Sequence, residues 1–316
     1  MTFIFSKLWH LQPDFSRQAI ISLINKWYDH KRKIKREKIE YYKHHNPQKF
    51  ANYLYKNDFG YDIDFKHPRD LNEKIQYLQF FTDTTRWSLL ADKYRVREYV
   101  KECGCEEILV PLIGKYSSFD DIDFDTLPPR FVIKTNKGSG DVVLVKDKHN
   151  LDIDFIREKI SNMLNYPFGL QSAEPHYLRI PPCIIVEKFL GDGEVEIVDY
   201  KVWCFHGKPY CILTCSNRSY SAGTLDLNCF DLDWNRRDEW ISSSYRNYVT
   251  VPKPHNLNLL LKYASILSKG FPQVRVDFYD IKGRLYFGEM TFTSACGRMK
   301  YFTKEFLKQM GDMVQL

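Results

Sequence analysis

The chain has 316 residues, of which 44% are hydrophobic, 27% charged and 16% aromatic. That balance excludes disordered, collagenous and coiled-coil classes. Mean hydropathy is −0.44, and no run approaches the ~20 apolar residues of a spanning helix. Six positive and one negative side chain between Lys31 and Lys38 supply most of the net charge of +6, so the basicity is local and the rest of the chain is nearly neutral.

Two lobes are expected at this length. Met1 to Lys7 has no charged region ahead of its apolar residues, so no signal peptide is expected. The eight cysteines form no C-x-x-C pair and several sit in apolar runs such as Cys183-Ile184-Ile185-Val186. They read as reduced, buried thiols of a cytosolic protein, not as a zinc site.

Residues 1–60 read as a basic helical extension. Ile20, Ile24, Trp27 and Tyr28 share one helical face, and the basic run continues the same helix. A peripheral contact with an anionic membrane through residues 17–45 is one account of it, and a solvated helix face is the other. Residues 61–127 form a mostly helical lead-in, with one helix opening at Asp92-Lys93 and ending at Gly104. An acidic loop from Ser118 to Thr126 reads as a boundary between lobes.

Residues 128–190 change period. Phe131–Lys134 and Val142–Val145 are β-rich runs flanking Gly138-Ser139-Gly140, a helix follows over 152–164, and Cys183–Glu187 reads as a buried strand. In residues 191–316 a hairpin turns at His206-Gly207-Lys208, and a looser stretch runs to about Pro254. A helix then carries Leu257 to Leu267, and strands follow at 274–279 and 284–289. This order predicts an α+β protein built on antiparallel sheets, without the β-α-β alternation of a doubly wound fold.

Lys134 precedes the glycine loop, where backbone N–H groups and a lysine suit phosphate; a plain hairpin turn also explains it. No Walker A sequence exists in the chain. In the last hairpin, a three-residue loop Ile281-Lys282-Gly283 sets Asp280 opposite Arg284. Arg275, Asp277, Glu289 and Thr291 then project from one face. Such acids are costly to cluster unless a cation sits between them, and magnesium on a nucleotide fits. A salt-bridged face is the competing account. Glu187 either meets an adenine or caps a turn. Asp199-x-Lys201 either meets ribose and phosphate or forms a cross-strand pair.

The order of these pieces is the signal: Lys93, Lys134 with its glycine loop, Glu187-Lys188, Asp199-x-Lys201, Arg275-x-Asp277, Glu289-x-Thr291. It resembles the ATP-grasp superfamily. More closely it resembles the TupA-like (teichuronopeptide biosynthesis) ATP-grasp family of bacterial polysaccharide clusters, through Leu71–Gln76, Ala91–Tyr94, Phe230–Trp234, Lys269–Pro272 and Phe287–Phe292. The resemblance implies two antiparallel-sheet lobes with ATP between them, after the N-terminal helical extension. It implies Lys93, Lys134, Gly138, Ser139, Gly140 and Lys201 at the phosphates. Glu187, Lys188 and Leu190 would lie at the adenine, and Asp199 at the ribose. Asp277, Glu289 and Thr291 would hold Mg2+, and Arg275 with Lys134 would stabilise the transferring charge.

The implied activity is ATP-dependent carboxylate–amine ligation through an acyl phosphate, joining an amino acid to a uronic acid or amino sugar of a surface polysaccharide. A sugar kinase or a glycosyltransferase of the same pathway is the alternative, and a nucleic-acid binder ranks last. A cytoplasmic protein, at the inner membrane face through its basic helix, fits that role. Thr291 stands where most ATP-grasp proteins carry asparagine, and Lys137 where the loop usually carries histidine. Ser294–Lys300 departs from the common Gly-rich version, which makes Arg298 and Lys300 the substrate determinants to test.

Overall fold

The computed structural model describes residues 14–140, 142–191, 197–219 and 224–316. The expectation drawn from Met1–Lys7 lies outside them, as does the Ile20 side chain.

The extension is a long helix α1 (Asp14–His45) followed by α2 (Pro47–Phe59). Asn46 caps α2 by accepting from Lys49 N, and Gly60 ends it in the left-handed conformation at φ 84°. Its Phe50 and Ala51 form a small core with Ala173. The lead-in holds α3 (Leu71–Phe81), α4 (Thr85–Leu90) and α5 (Val96–Glu102). Asp92 does not open a helix directly. Its carboxylate accepts from Tyr94 N and Arg95 N, so a tight turn precedes α5.

Four strands make the first sheet, in the order β1-β4-β2-β3: β1 (Leu112–Tyr116), β2 (Phe131–Thr135), β3 (Val142–Val145) and β4 (Ile184–Lys188). All its pairings are antiparallel. Phe131, Ile133, Ile184 and Val186 pack on Ile156 and Ile160 of α6 (Ile153–Asn165). Val132, Lys134 and Glu187 alternate onto the opposite face. Phe119, Ile122 and Leu127 of the acidic loop pack into this same core. β1 was not legible in sequence, being five residues with only half-buried alternation. After a short α7 (Pro175–Leu178) the chain enters β4.

The second sheet has the order β7-β6-β5-β8-β9, with β5 (Asp199–Phe205), β6 (Lys208–Ser219), β7 (Thr224–Phe230), β8 (Val274–Ile281) and β9 (Arg284–Thr291). β7 lies inside the stretch expected to be loose. One face packs on α8 (Leu257–Leu267), where Leu260, Ala264 and Leu267 meet the even-numbered residues Val202, Cys204, Val276 and Phe278 in one core. α3 and the terminal helix α9 (Lys304–Asp312) close the same core through Leu71, Ile75, Phe306 and Met310.

The last hairpin corrects the expected register. Ile281 pairs with Arg284, so the turn is the two residues Lys282-Gly283, at φ 52° and 86°. Two positive φ values define the primed turn that matches strand twist. Asp280 fixes it by accepting from Gly283 N at 2.9 Å. A regular ladder from that turn would set Glu289 beside Val276, on the core face. Gly288 instead forms a β-bulge: Phe287 pairs with Phe278, and Glu289 pairs with Asp277. The two departures cancel, and the four polar residues share a face after all.

Candidate active site

Rows across the second sheet assemble the site. Cys215, Asp199 and Tyr279 align across β6, β5 and β8; Lys201, Asp277 and Glu289 align across β5, β8 and β9; Trp203, Arg275 and Thr291 form the third row. Antiparallel pairing brings side chains of one row within contact distance.

The second and third rows form one ion-pair network. Arg275 donates from Nε to Asp277 Oδ1 at 2.7 Å and from Nη2 to Asp277 Oδ2 at 2.8 Å. The same Nη2 reaches Glu289 Oε1 at 3.1 Å and Thr291 Oγ1 at 3.0 Å. Lys201 Nζ donates to Asp277 Oδ2 at 2.5 Å and lies 3.3 Å from Asp199 Oδ2. Burial alone would raise the Asp277 carboxyl; Arg275 and Lys201 more than reverse this and hold it below the ordinary aspartate value. Burial opposes the Lys201 charge, and Asp199 and Asp277 outweigh it, raising its pKa.

The first row faces the other sheet. A cavity of about 240 Å³ is lined by Val132, Lys134, Val142 and Leu144 from β2 and β3, by Glu187 to Leu190, and by Asp199, Cys215 and Tyr279. One cleft between the sheets therefore collects Lys134, Glu187, Lys188, Leu190 and Asp199. Its apolar wall includes Val142 and Leu144, large hydrophobic residues left exposed, which is the surface a flat base would cover.

Lys93 joins the two parts. Its Nζ donates to Gly138 O at 2.7 Å and lies 3.8 Å from Glu289 Oε2, while its backbone N donates to Asn136 O. Gly138 and Gly140 take φ of 104° and 83°, and Ser139 between them is exposed. Asn136, overlooked in sequence, ties the loop to the segment entering β4: its Oδ1 accepts from Cys183 N and its Nδ2 donates to Pro181 O.

Arg298 and Lys300 stand apart from the network. Both bond Asp58 of α2, at 2.8 Å each. The segment leading to them is strained, with Ala295 and Cys296 at φ 46° and 58°. Gln76 Nε2 donates to Cys296 O at 2.7 Å, Asn72 makes two bonds with Met299, and Glu174 accepts from Thr293 Oγ1. Arg275 Nη1 reaches Ser294 Oγ at 3.3 Å, linking this segment to the site. Asn72 and Gln76 fall in the Leu71–Gln76 stretch that carries the resemblance, but what they bond was not readable there, and Glu174 gave no signal, because the partners lie 119 to 227 residues away.

Asp277, Glu289 and Thr291 fit a divalent cation by donor chemistry: two carboxylates and a hydroxyl in adjacent positions on one face. Among the described residues no three of His, Cys, Asp and Glu cluster as a metal cage. Such a cation would take its remaining oxygens from phosphates and water, as magnesium does.

Two antiparallel sheets with a cleft between them are the arrangement that the ATP-grasp resemblance implies. A family model described as TupA-like ATPgrasp matches residues 73–315. The chain belongs to that family. No curated protein matches it in sequence. Among solved structures it is similar to a D-alanine–D-alanine ligase of Bacillus anthracis complexed with ATP (17% identity, TM-score 0.36, 65% of this chain and 54% of that one). It is also similar to the D-alanine–D-alanine ligase of Helicobacter pylori (12%, TM-score 0.41, 76% and 66%). A third is phosphoribosylglycinamide synthetase of Anaerococcus prevotii (12%, TM-score 0.39, 77% and 55%). The chain spans about half to two thirds of the length of these structures.

Proposed function

We propose that the chain is an ATP-dependent carboxylate–amine ligase. The observation that carries this is the placement of Asp277 opposite Glu289, on the sheet face whose neighbouring row lines the cleft with Lys134 and Glu187. ATP transfers its γ-phosphoryl group to a carboxylate, and an amine then displaces phosphate from the acyl phosphate, leaving an amide, ADP and phosphate. Lys93 and Lys134 bind phosphate oxygens, Asp199 takes the ribose, and Glu187, Lys188 and Leu190 surround the base. Arg275 holds charge developing on the transferred group, which is preorganised by its bonds to Asp277. Asp277, Glu289 and Thr291 would hold magnesium, which supplies charge neutralisation for the phosphates.

The family's association with polysaccharide clusters supports a uronic acid or amino sugar as one substrate and an amino acid as the other, in a cytoplasmic enzyme. Arg298 and Lys300 are the residues that would select the substrate. The aromatic and basic face of α1 supports a meeting with an anionic membrane surface: Trp27, Tyr28 and Ile34 are exposed there, and Lys31 lies 3.8 Å over the Trp27 ring. Among the described residues no helix is long and apolar enough to cross a membrane.

Thermal stabilisation against nucleotides with magnesium tests the reading, followed by mass analysis with D-glucuronate, amino sugars and amino acids. Stabilisation by ATP and an amide product are expected. A phosphorylated hydroxyl product would make it a kinase; stabilisation by nucleotide-sugars and none by ATP would make it a glycosyltransferase.

A further inference from the structure

Glu187 is a buried acid shared by two cations. Its Oε2 accepts from Lys134 Nζ at 2.6 Å, and its Oε1 lies 3.4 Å from Arg97 Nη1; the side chain is only 7% exposed. Arg97 lies in the first turn of α5, and Lys93 sits in the Asp92-capped turn just before it. The Asp92-capped turn therefore presents Lys93 to the glycine loop and Arg97 to Glu187 together. Arg97 is anchored independently, since Nη2 donates to Val110 O at 2.9 Å, and Val110 also lines the cleft.

We infer that Arg97 is a positioning residue, the counter-ion that lets Lys134 turn from Glu187 to a nucleotide phosphate. The inference rests on the nucleotide reading above. A lysine that engages phosphate loosens its hold on Glu187, and a buried carboxylate without a cation is strongly disfavoured. Arg97, fixed to Val110, stays beside Glu187 while Lys134 moves. Without it, Lys134 remains locked to Glu187 and phosphate binding is penalised, while base binding is not.

Calorimetric titration of the full chain with MgADP and with adenosine tests this. Arg97→Gln is expected to weaken MgADP by about tenfold or more, in keeping with loss of one partner of a buried charge pair, and adenosine by less than about twofold. Arg97→Lys should recover most of the MgADP affinity. In a Glu187→Gln chain, which needs no counter-ion, Arg97→Gln should add little to the ratio of the two affinities. Equal weakening of both ligands, no weakening of either, or a full Arg97 effect persisting beside Glu187→Gln would each overturn the assignment. A native chain that binds neither MgADP nor adenosine would overturn the nucleotide reading, and this inference with it.

Discussion

Asp277 and Glu289 oppose each other across β8 and β9 only because Gly288 is an extra residue in the ladder. A Cβ on Gly288 would stand 3.1 Å from the Asp277 carbonyl oxygen, which is tighter than a regular contact. Gly288→Ala is therefore expected to cost about 1–3 kcal/mol, the usual range for added bulk in a packed site. It should also slow ADP release, because the bulge carries Glu289 with it. Urea unfolding and a coupled ADP assay check the two effects; full activity would show the bulge to be incidental.

The two acids differ in what their loss should do. Asp277 is 2% exposed and is bonded by Arg275 and Lys201. Asp277→Asn leaves those cations underpaired and is expected to destabilise the fold by about 3–5 kcal/mol. Glu289 is a third exposed, so Glu289→Gln should melt close to the native chain yet lose ADP release by at least about a hundredfold, the scale of a lost transition-state contact. Turnover near the native rate in Glu289→Gln would remove the acid from the mechanism.

His176 is fully buried, edge-on to Trp87 at 5.7 Å, and burial pushes its pKa from 6.5 down to about 3. Between those values the unfolded chain binds a proton that the folded chain refuses. Stability is therefore lost as pH falls from 6.5 toward 3, by about 1.4 kcal/mol per pH unit from this residue alone. Burial raises the Glu174 carboxyl, which acts in the opposite sense as pH rises through 4.5. His176→Phe keeps the edge-on ring contact and removes the proton, so its stability difference from the native chain should grow as pH falls. Chemical denaturation across that range measures the difference, and a flat difference would contradict the buried neutral ring.

Asp58 ties the extension to Arg298 and Lys300. Lys300 is half exposed but Arg298 and Asp58 are largely buried, so Asp58→Ala is expected to cost about 1–3 kcal/mol, the scale of a lost hydrogen bond to a charged group. If the two cations select the substrate, the same change should alter the KM of the carboxylate or amine several-fold at an unaltered KM for MgATP. Steady-state kinetics with each substrate varied in turn separates the two.

The α1 surface predicts sedimentation with phosphatidylglycerol vesicles and not with phosphatidylcholine vesicles, weakened as salt shortens the screening length. Reversing Lys31, Lys33 and Lys35 to Glu should abolish it. Binding that ignores lipid charge, or none at all, would leave that face to solvent or to another partner.

Strands at 131–134, 142–145, 183–187, 274–279 and 284–289 were readable from β-rich runs, and the helices near 152–164 and 257–267 from their apolar spacing, each within one or two residues of the observed bounds. So were the pairs Arg275-x-Asp277, Glu289-x-Thr291 and Asp199-x-Lys201, because alternation along a strand is a property of the local backbone. The turn length was not readable, since Lys282-Gly283 and Ile281-Lys282-Gly283 both end on the same glycine, and the compensating bulge lay five residues away at Gly288. Sheet order was beyond reach as well: nothing near Lys201 announces that Asp277 stands across from it, or that Arg97 meets Glu187 across 90 positions. Those partners are chosen when whole faces are buried together. Short-range geometry decides which way a side chain points, and only the packing of distant elements decides what it meets.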